Sequence, residues 1–78
     1  MPTILKTYGL RFFFFSNEAT DPAHIHVEKN NAYAKYYLSP VEHSISFAFN
    51  ANELSQIRNL VQQHQSVFLT KWNEFIGQ

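Results

Sequence analysis

The chain has 78 residues, no cysteine, and six basic side chains balanced by six acidic ones. This length predicts one domain over residues 1–78, and the absence of cysteine excludes disulfides and thiolate metal sites. Domains that bind nucleic acid by their own field are usually basic. The zero net charge therefore argues against tight autonomous binding to DNA or RNA and favours association with another protein. Without a long apolar run or a signal peptide, we expect a cytoplasmic protein that does not enter a membrane.

The first two thirds of the chain predict an antiparallel sheet. Short runs rich in β-branched and aromatic residues are separated by turn residues such as Gly9, Asn30-Asn31 and Ser39-Pro40. The last run has an irregular start, so we expect four or five strands. The predicted strand segments are residues 2–8, 10–15, 24–29, 32–38 and 41–49.

The second of these segments, Leu10–Phe15, is almost entirely apolar. Phe12 and Phe14 lie on one side of the predicted strand, and Phe13 and Phe15 lie on the other. A strand with one solvated side would alternate more cleanly between apolar and polar residues. We therefore expect a central strand that is covered on both faces.

The C-terminal third predicts one long helix over residues 50–76. Asn50 is a good N-cap, and Glu53 completes a capping-box pattern. The apolar arc of this helix is about twice as wide as one sheet requires, which suggests that another chain, or the tail of this one, covers part of it. The predicted fold is α+β, with an antiparallel meander and one long C-terminal helix packed on one face. The core stripe of the helix comprises Leu54, Ile57, Val61, Phe68, Trp72 and Phe75.

The third strand carries the cluster that most suggests chemistry. Because side chains alternate along a strand, His24, His26 and Glu28 point to one side, and we expect that side to face outward. Two imidazoles and a carboxylate suit a divalent metal, with Glu42 or His43 as alternative third ligands. Without a metal, the two histidines could act as acid and base in RNA cleavage, because imidazole titrates near neutral pH.

Four further residues complete this candidate site. We expect Arg11 and Lys35 to hold a substrate phosphate, and Asn17 and Glu18 to contribute from the loop before the third strand. The structural alternative is that the histidines are hydrogen-bonded to that loop and that the charged residues form cross-strand pairs. We expect no organic cofactor, with a divalent metal as the only alternative.

The ordered motifs of the chain resemble a bacterial family of small stand-alone proteins, the domain of unknown function 4160. The matching segments include Met1–Leu5, Arg11–Glu18, Pro22–Val27, Ala34–Glu42 and Trp72–Phe75. The chain has Ala23 where the family usually has a second proline, and Asn30-Asn31 where it has glycines. The resemblance implies a small α+β domain and a neighbouring small gene, in pairs that look like toxin–antitoxin modules. It implies no established activity.

Two functional hypotheses follow. The first is an interaction module, one component of a two-gene toxin–antitoxin-like pair, which binds the product of the adjacent gene or associates with itself. The second is a small hydrolase that acts through His24 and His26, with RNA as the expected substrate.

Overall fold

The computed structural model describes residues 3–15 and 21–76. Five strands form one antiparallel sheet in the order β1-β2-β3-β4-β5, and two helices follow. The predicted α+β meander is therefore confirmed, with five strands. The elements are β1 Thr3–Thr7, β2 Leu10–Phe13, β3 His24–Lys29, β4 Ala32–Leu38, β5 Val41–Phe47, α1 Ala51–Gln63 and α2 Gln65–Ile76.

Three tight turns connect neighbouring strands. Between β1 and β2, Tyr8 and Gly9 both have positive φ angles, of 54° and 75°, as a two-residue hairpin turn of primed type requires. Asn30 begins the turn between β3 and β4 with a φ of 54°, which asparagine tolerates better than most residues. The turn between β4 and β5 contains a cis Ser39–Pro40 peptide bond. The turn residues identified in the sequence therefore lie at the observed connections between these antiparallel strands.

One face of the sheet, the helix face, packs against α1 and α2. Phe12 of β2 contacts Phe68 of α2, with their ring centroids 5.5 Å apart, and Phe14 meets Trp72 edge-on at 5.4 Å. The predicted helix stripe is confirmed, because its central members are buried and its end members pack partly against the core. The buried stripe residues are Ile57, Val61, Phe68 and Trp72.

The predicted single helix is in fact two helices that meet at His64. The His64 backbone N–H and its side-chain Nδ1–H both donate to the Leu60 carbonyl, at 3.0 and 2.9 Å. A side chain that competes for a carbonyl of the helical ladder is a known cause of a helix break. Directly after the break, Gln65 donates from Nε2 to the Leu38 carbonyl of β4 at 2.6 Å. The break therefore lets the start of α2 bond to the sheet.

The edge strand β5 contains a bulge. Lys35 and Tyr36 are adjacent in β4, but their partners in β5 are Ile45 and His43, so Ser44 is an extra residue. A bulge of this kind changes which side chains share a face. As a result, His43 and Ser46 both lie on the helix face although they are three residues apart.

Neither α1 nor α2, nor any other helix in residues 3–15 and 21–76, has the length and apolar character needed to cross a membrane.

Candidate functional site

The face of the sheet opposite the helices carries the candidate site and is called here the histidine face. Cross-strand pairing places Phe13 of β2, His26 of β3 and Lys35 of β4 side by side in one row. The next row contains Arg11, Glu28 and Tyr33. The sequence-predicted side-chain alternation along β3 thus brings the histidines and the two candidate cations onto one face.

His26 lies within a cage of aromatic rings. Its ring stacks on Phe13 and Tyr33, with centroid separations of 5.5 and 5.8 Å, and contacts Phe15 at 4.4 Å. Its Nδ1 shares a hydrogen bond of 2.6 Å with the Tyr33 hydroxyl. Only 2% of the residue is exposed. His26 therefore behaves as a packed residue that links β2, β3 and β4.

His24 is buried at the start of the same strand. Its Nδ1 lies 2.9 Å from the Pro22 carbonyl oxygen, and because a carbonyl can only accept, Nδ1 carries the proton. Its ring contacts His26 and Trp72, each with a centroid separation of 4.9 Å.

The expectation of an outward imidazole pair needs correction, because both rings are buried. The strand period specifies the side on which a residue lies, but the covering rings come from other strands and from α2. Phe15, Tyr33 and Trp72 supply much of that cover. The two imidazoles do lie together, as predicted, but inside an aromatic layer.

Arg11, a predicted phosphate-binding residue, is held by three groups. It donates from Nη1 to Glu28 Oε2 at 2.8 Å and from Nε to Thr3 Oγ1 at 2.8 Å. Its guanidinium lies 4.4 Å from the centre of the Phe13 ring, within the range of a cation–π contact. This geometry matches the cross-strand pair that the sequence offered as the structural alternative.

Lys35, the second predicted cation, is also paired. Its Nζ lies 3.4 Å from Asp21 Oδ2 and 5.4 Å from the centre of the Tyr37 ring. A phosphate would have to compete with Asp21 for this ammonium group. The other two predicted substrate-binding residues, Asn17 and Glu18, lie outside the described residues.

The predicted metal ligands His24, His26 and Glu28 do not form a three-ligand site. In the described ranges, 3–15 and 21–76, no group of three His, Cys, Asp or Glu side chains could hold a metal ion. Glu28 instead accepts from Arg11, as described above. The divalent-metal hypothesis stays a prediction.

Two large apolar side chains stand exposed beside this cluster. Ile45 and Phe47 of β5 are 52% and 67% exposed, and they lie directly across from Lys35 and Tyr33. They therefore belong to the histidine face. We call Tyr33, Ile45 and Phe47 the β5 patch.

A second polar cluster, which the sequence analysis did not identify, lies on the other face. His43 Nε2 and Ser46 Oγ are 2.9 Å apart, at one side of a groove between β5 and α1. The groove measures about 360 Å³ and is lined by Tyr36, His43, Ser46, Ala51, Leu54, Ser55 and Arg58. From the sequence, His43 was predicted only as an alternative metal ligand. The bulge that brings it beside Ser46 cannot be recognised from the alternation of polar and apolar residues.

Comparison with known proteins identifies a family. The family model described as "Domain of unknown function (DUF4160)" matches residues 9–73. No curated protein and no solved structure matches the chain. The matched range includes β2 to β5, α1 and most of α2, and so contains both the histidine face and the groove. The chain therefore belongs to the DUF4160 family.

Proposed function

We propose that this protein is a cytoplasmic interaction module and one component of a two-gene, toxin–antitoxin-like pair. The observation that carries the proposal is the β5 patch, in which Ile45 and Phe47 are more than half exposed. Exposed apolar residues that occur singly need no explanation, whereas neighbouring ones on one surface suggest an interaction site.

The position of the patch supports binding through side chains. Tyr33 and Phe47 are cross-strand partners, so two aromatic rings stand side by side at the edge of the sheet. Aromatic side chains of this kind often supply most of the binding energy in protein interfaces. The zero net charge offers no long-range repulsion to a partner.

The helices offer less apolar surface than the sequence pattern suggested. Leu60, on one flank of the arc, is buried, whereas Val67 is 50% exposed. Leu69 and Ile76, on the other flank, pack partly against the core. The proposed interface therefore lies on the sheet and not on the helices.

The bulge in β5 favours side-chain docking over strand addition. A partner strand needs a regular row of backbone groups along the edge, and bulges at sheet edges interrupt that row. We therefore propose that the product of the adjacent gene, implied by the family resemblance, docks an apolar surface on the β5 patch. A second copy of this chain is the competing occupant.

Co-expression with the neighbouring gene product, followed by size-exclusion chromatography with light scattering, tests this proposal. We expect a stable complex that the double variant Ile45→Ser/Phe47→Ser disrupts. Val67→Ser is the matched control, because it removes from α2 an apolar side chain that is about as exposed as Ile45. The proposal is wrong if the wild-type chain does not bind the neighbouring gene product or forms only homodimers. It is also wrong if Val67→Ser disrupts the complex and the double variant does not.

The second candidate function, a histidine-dependent hydrolase acting on RNA, rests on the contact between the His24 and His26 rings. Their burial and the pairing of Arg11 and Lys35 count against easy access for a phosphodiester. Incubation of labelled RNA with wild type and with His24→Gln tests this candidate. If wild type cleaves the RNA and the variant does not, the hydrolase candidate is supported. If the RNA stays intact in both reactions, the hydrolase candidate is rejected.

A further inference from the structure

We propose that the groove between β5 and α1 binds a phosphate group through Arg58, His43, Ser46 and Ser55. The site lies on the opposite side of the sheet from the β5 patch, and it does not depend on the interaction proposed there.

The groove exists because of two local features. The bulge at Ser44 brings His43 and Ser46 onto the face that α1 covers. The capping box formed by Asn50 and Glu53 starts α1 directly after the sheet, with reciprocal bonds of 2.8 and 3.0 Å. The first turns of α1 then place Ser55 and Arg58 along the other wall.

The lining groups are mainly hydrogen-bond donors. Arg58 supplies a guanidinium, and Ser46 and Ser55 supply hydroxyls. His43 Nε2 is already within hydrogen-bond distance of Ser46 Oγ, at 2.9 Å. When the imidazole donates this bond, the Ser46 hydroxyl proton is directed elsewhere and can reach a ligand oxygen.

The charge of the groove is positive. Among the residues that the structure describes, the groove is lined by Arg58 and by no carboxylate. Burial raises the pKa of the Tyr36 hydroxyl, and the positive charge of Arg58 lowers it in part. Tyr36 itself donates to the Leu54 carbonyl at 3.2 Å and forms part of the wall.

A tetrahedral phosphate suits this donor set better than a carboxylate does. The Arg58 guanidinium can bind two phosphate oxygens in a fork, and the Ser46 and Ser55 hydroxyls can each donate to a further oxygen, with His43 orienting the Ser46 hydroxyl. The volume of about 360 Å³ lies at the lower end of the range for small-ligand sites. The ligand class is therefore inorganic phosphate or a small phosphate monoester.

An NMR titration of the full chain with inorganic phosphate, and separately with adenosine monophosphate, tests the site. Both arms are run against chloride at constant ionic strength. We expect saturable amide shifts at His43, Ser46, Ser55 and Arg58 in at least one arm. Stronger binding of adenosine monophosphate would identify a monoester as the ligand, and stronger binding of inorganic phosphate would identify the free ion.

Arg58→Gln should weaken binding at least about tenfold, the effect of losing one good charged hydrogen bond. Lys71→Gln is the matched control, because it removes the same charge from the exposed surface of α2 and should leave binding unchanged. Ser46→Ala gives a second test should Arg58→Gln fold poorly. Non-saturating shifts, equal loss with Lys71→Gln, or equally tight binding of acetate would each overturn the proposal.

Discussion

The Nδ1 atom of His26 and the hydroxyl oxygen of Tyr33 lie 2.6 Å apart and join β3 to β4 across the histidine face. The His26 ring also stacks on Phe13 from β2. One imidazole thus contacts side chains from two neighbouring strands. This position explains a histidine in a buried layer without reference to catalysis.

Replacing His26 with alanine should destabilise the fold by about 2–4 kcal/mol, because it leaves a cavity among the rings and removes the bond to Tyr33. Tyr33→Phe should cost about 1 kcal/mol, since it removes the hydroxyl alone. Urea denaturation of both single variants and of the double variant measures their coupling. Independent effects that add without coupling would show that the bond contributes nothing.

Arg11 should not be replaceable by lysine. Arg11→Ala is expected to lower the free energy of unfolding by about 1–2 kcal/mol, and Arg11→Lys should recover little of it, because an ammonium group cannot reach Thr3 and Glu28 together while it covers Phe13. Lys71→Ala, in the exposed pair with Glu74, should cost less than about 0.5 kcal/mol. Full rescue by lysine in thermal or urea unfolding would contradict this assignment.

Tyr36 should make the fold sensitive to alkali. Burial raises the pKa of its hydroxyl above the ordinary value of 10.0, and the Arg58 charge partly opposes this. Between pH 10 and the raised folded-state pKa, the Tyr36 hydroxyl therefore keeps its proton in the folded state and loses it in the unfolded state. Stability should be intact below pH 10 and should decline as the pH rises through the raised folded-state value.

Urea titrations between pH 8 and 11 measure this effect. Tyr36→Phe should be less stable than wild type near neutral pH, by about 1 kcal/mol for the lost bond to Leu54, and the two curves should converge in alkali. Arg58→Gln should raise the pKa of Tyr36 further. Tyr8→Phe, at an exposed position, should leave the wild-type profile in place. Parallel curves for wild type and Tyr36→Phe would refute the assignment.

The Gln65 side chain should stabilise the junction between the helices and the sheet. Gln65→Ala is expected to cost about 1 kcal/mol, because it removes the bond to the Leu38 carbonyl. Gln65→Glu should cost more, since a carboxylate would face that carbonyl oxygen. Exposed Gln62→Ala serves as the control in the same denaturation series. An equal response of all three variants would show that the bond is not used.

The sheet could be predicted because the sequence signals that specify it are local. Period-two alternation and the turn residues Gly9, Asn30 and Pro40 lie within a few residues of the strands that they connect. The helical stripe could be predicted for the same reason, because Ile57, Val61, Phe68 and Trp72 repeat at the helical period. The meander then follows from short connections.

The break at His64 and the burial of the histidines depend on contacts that the sequence pattern does not contain. The His64 ring lies on the apolar arc of a continuous helical pattern, and the two helices meet where this ring bonds to the Leu60 carbonyl. For His24, alternation indicates the side of the sheet, whereas Trp72, from the far end of the chain, supplies part of the cover. Non-local packing therefore limited the prediction of the site more than that of the fold.

The extra residue at position 44 also has a consequence for self-assembly. Deleting Ser44 would leave the neighbouring side chains of β5 on their present faces, because a bulge places two residues opposite one. The strand would then present an uninterrupted row of amide and carbonyl groups beside the exposed Ile45 and Phe47. Regular apolar edges of this kind promote fibril growth. The bulge at Ser44 would thus allow β5 to expose apolar side chains at the edge of the sheet without promoting fibril growth.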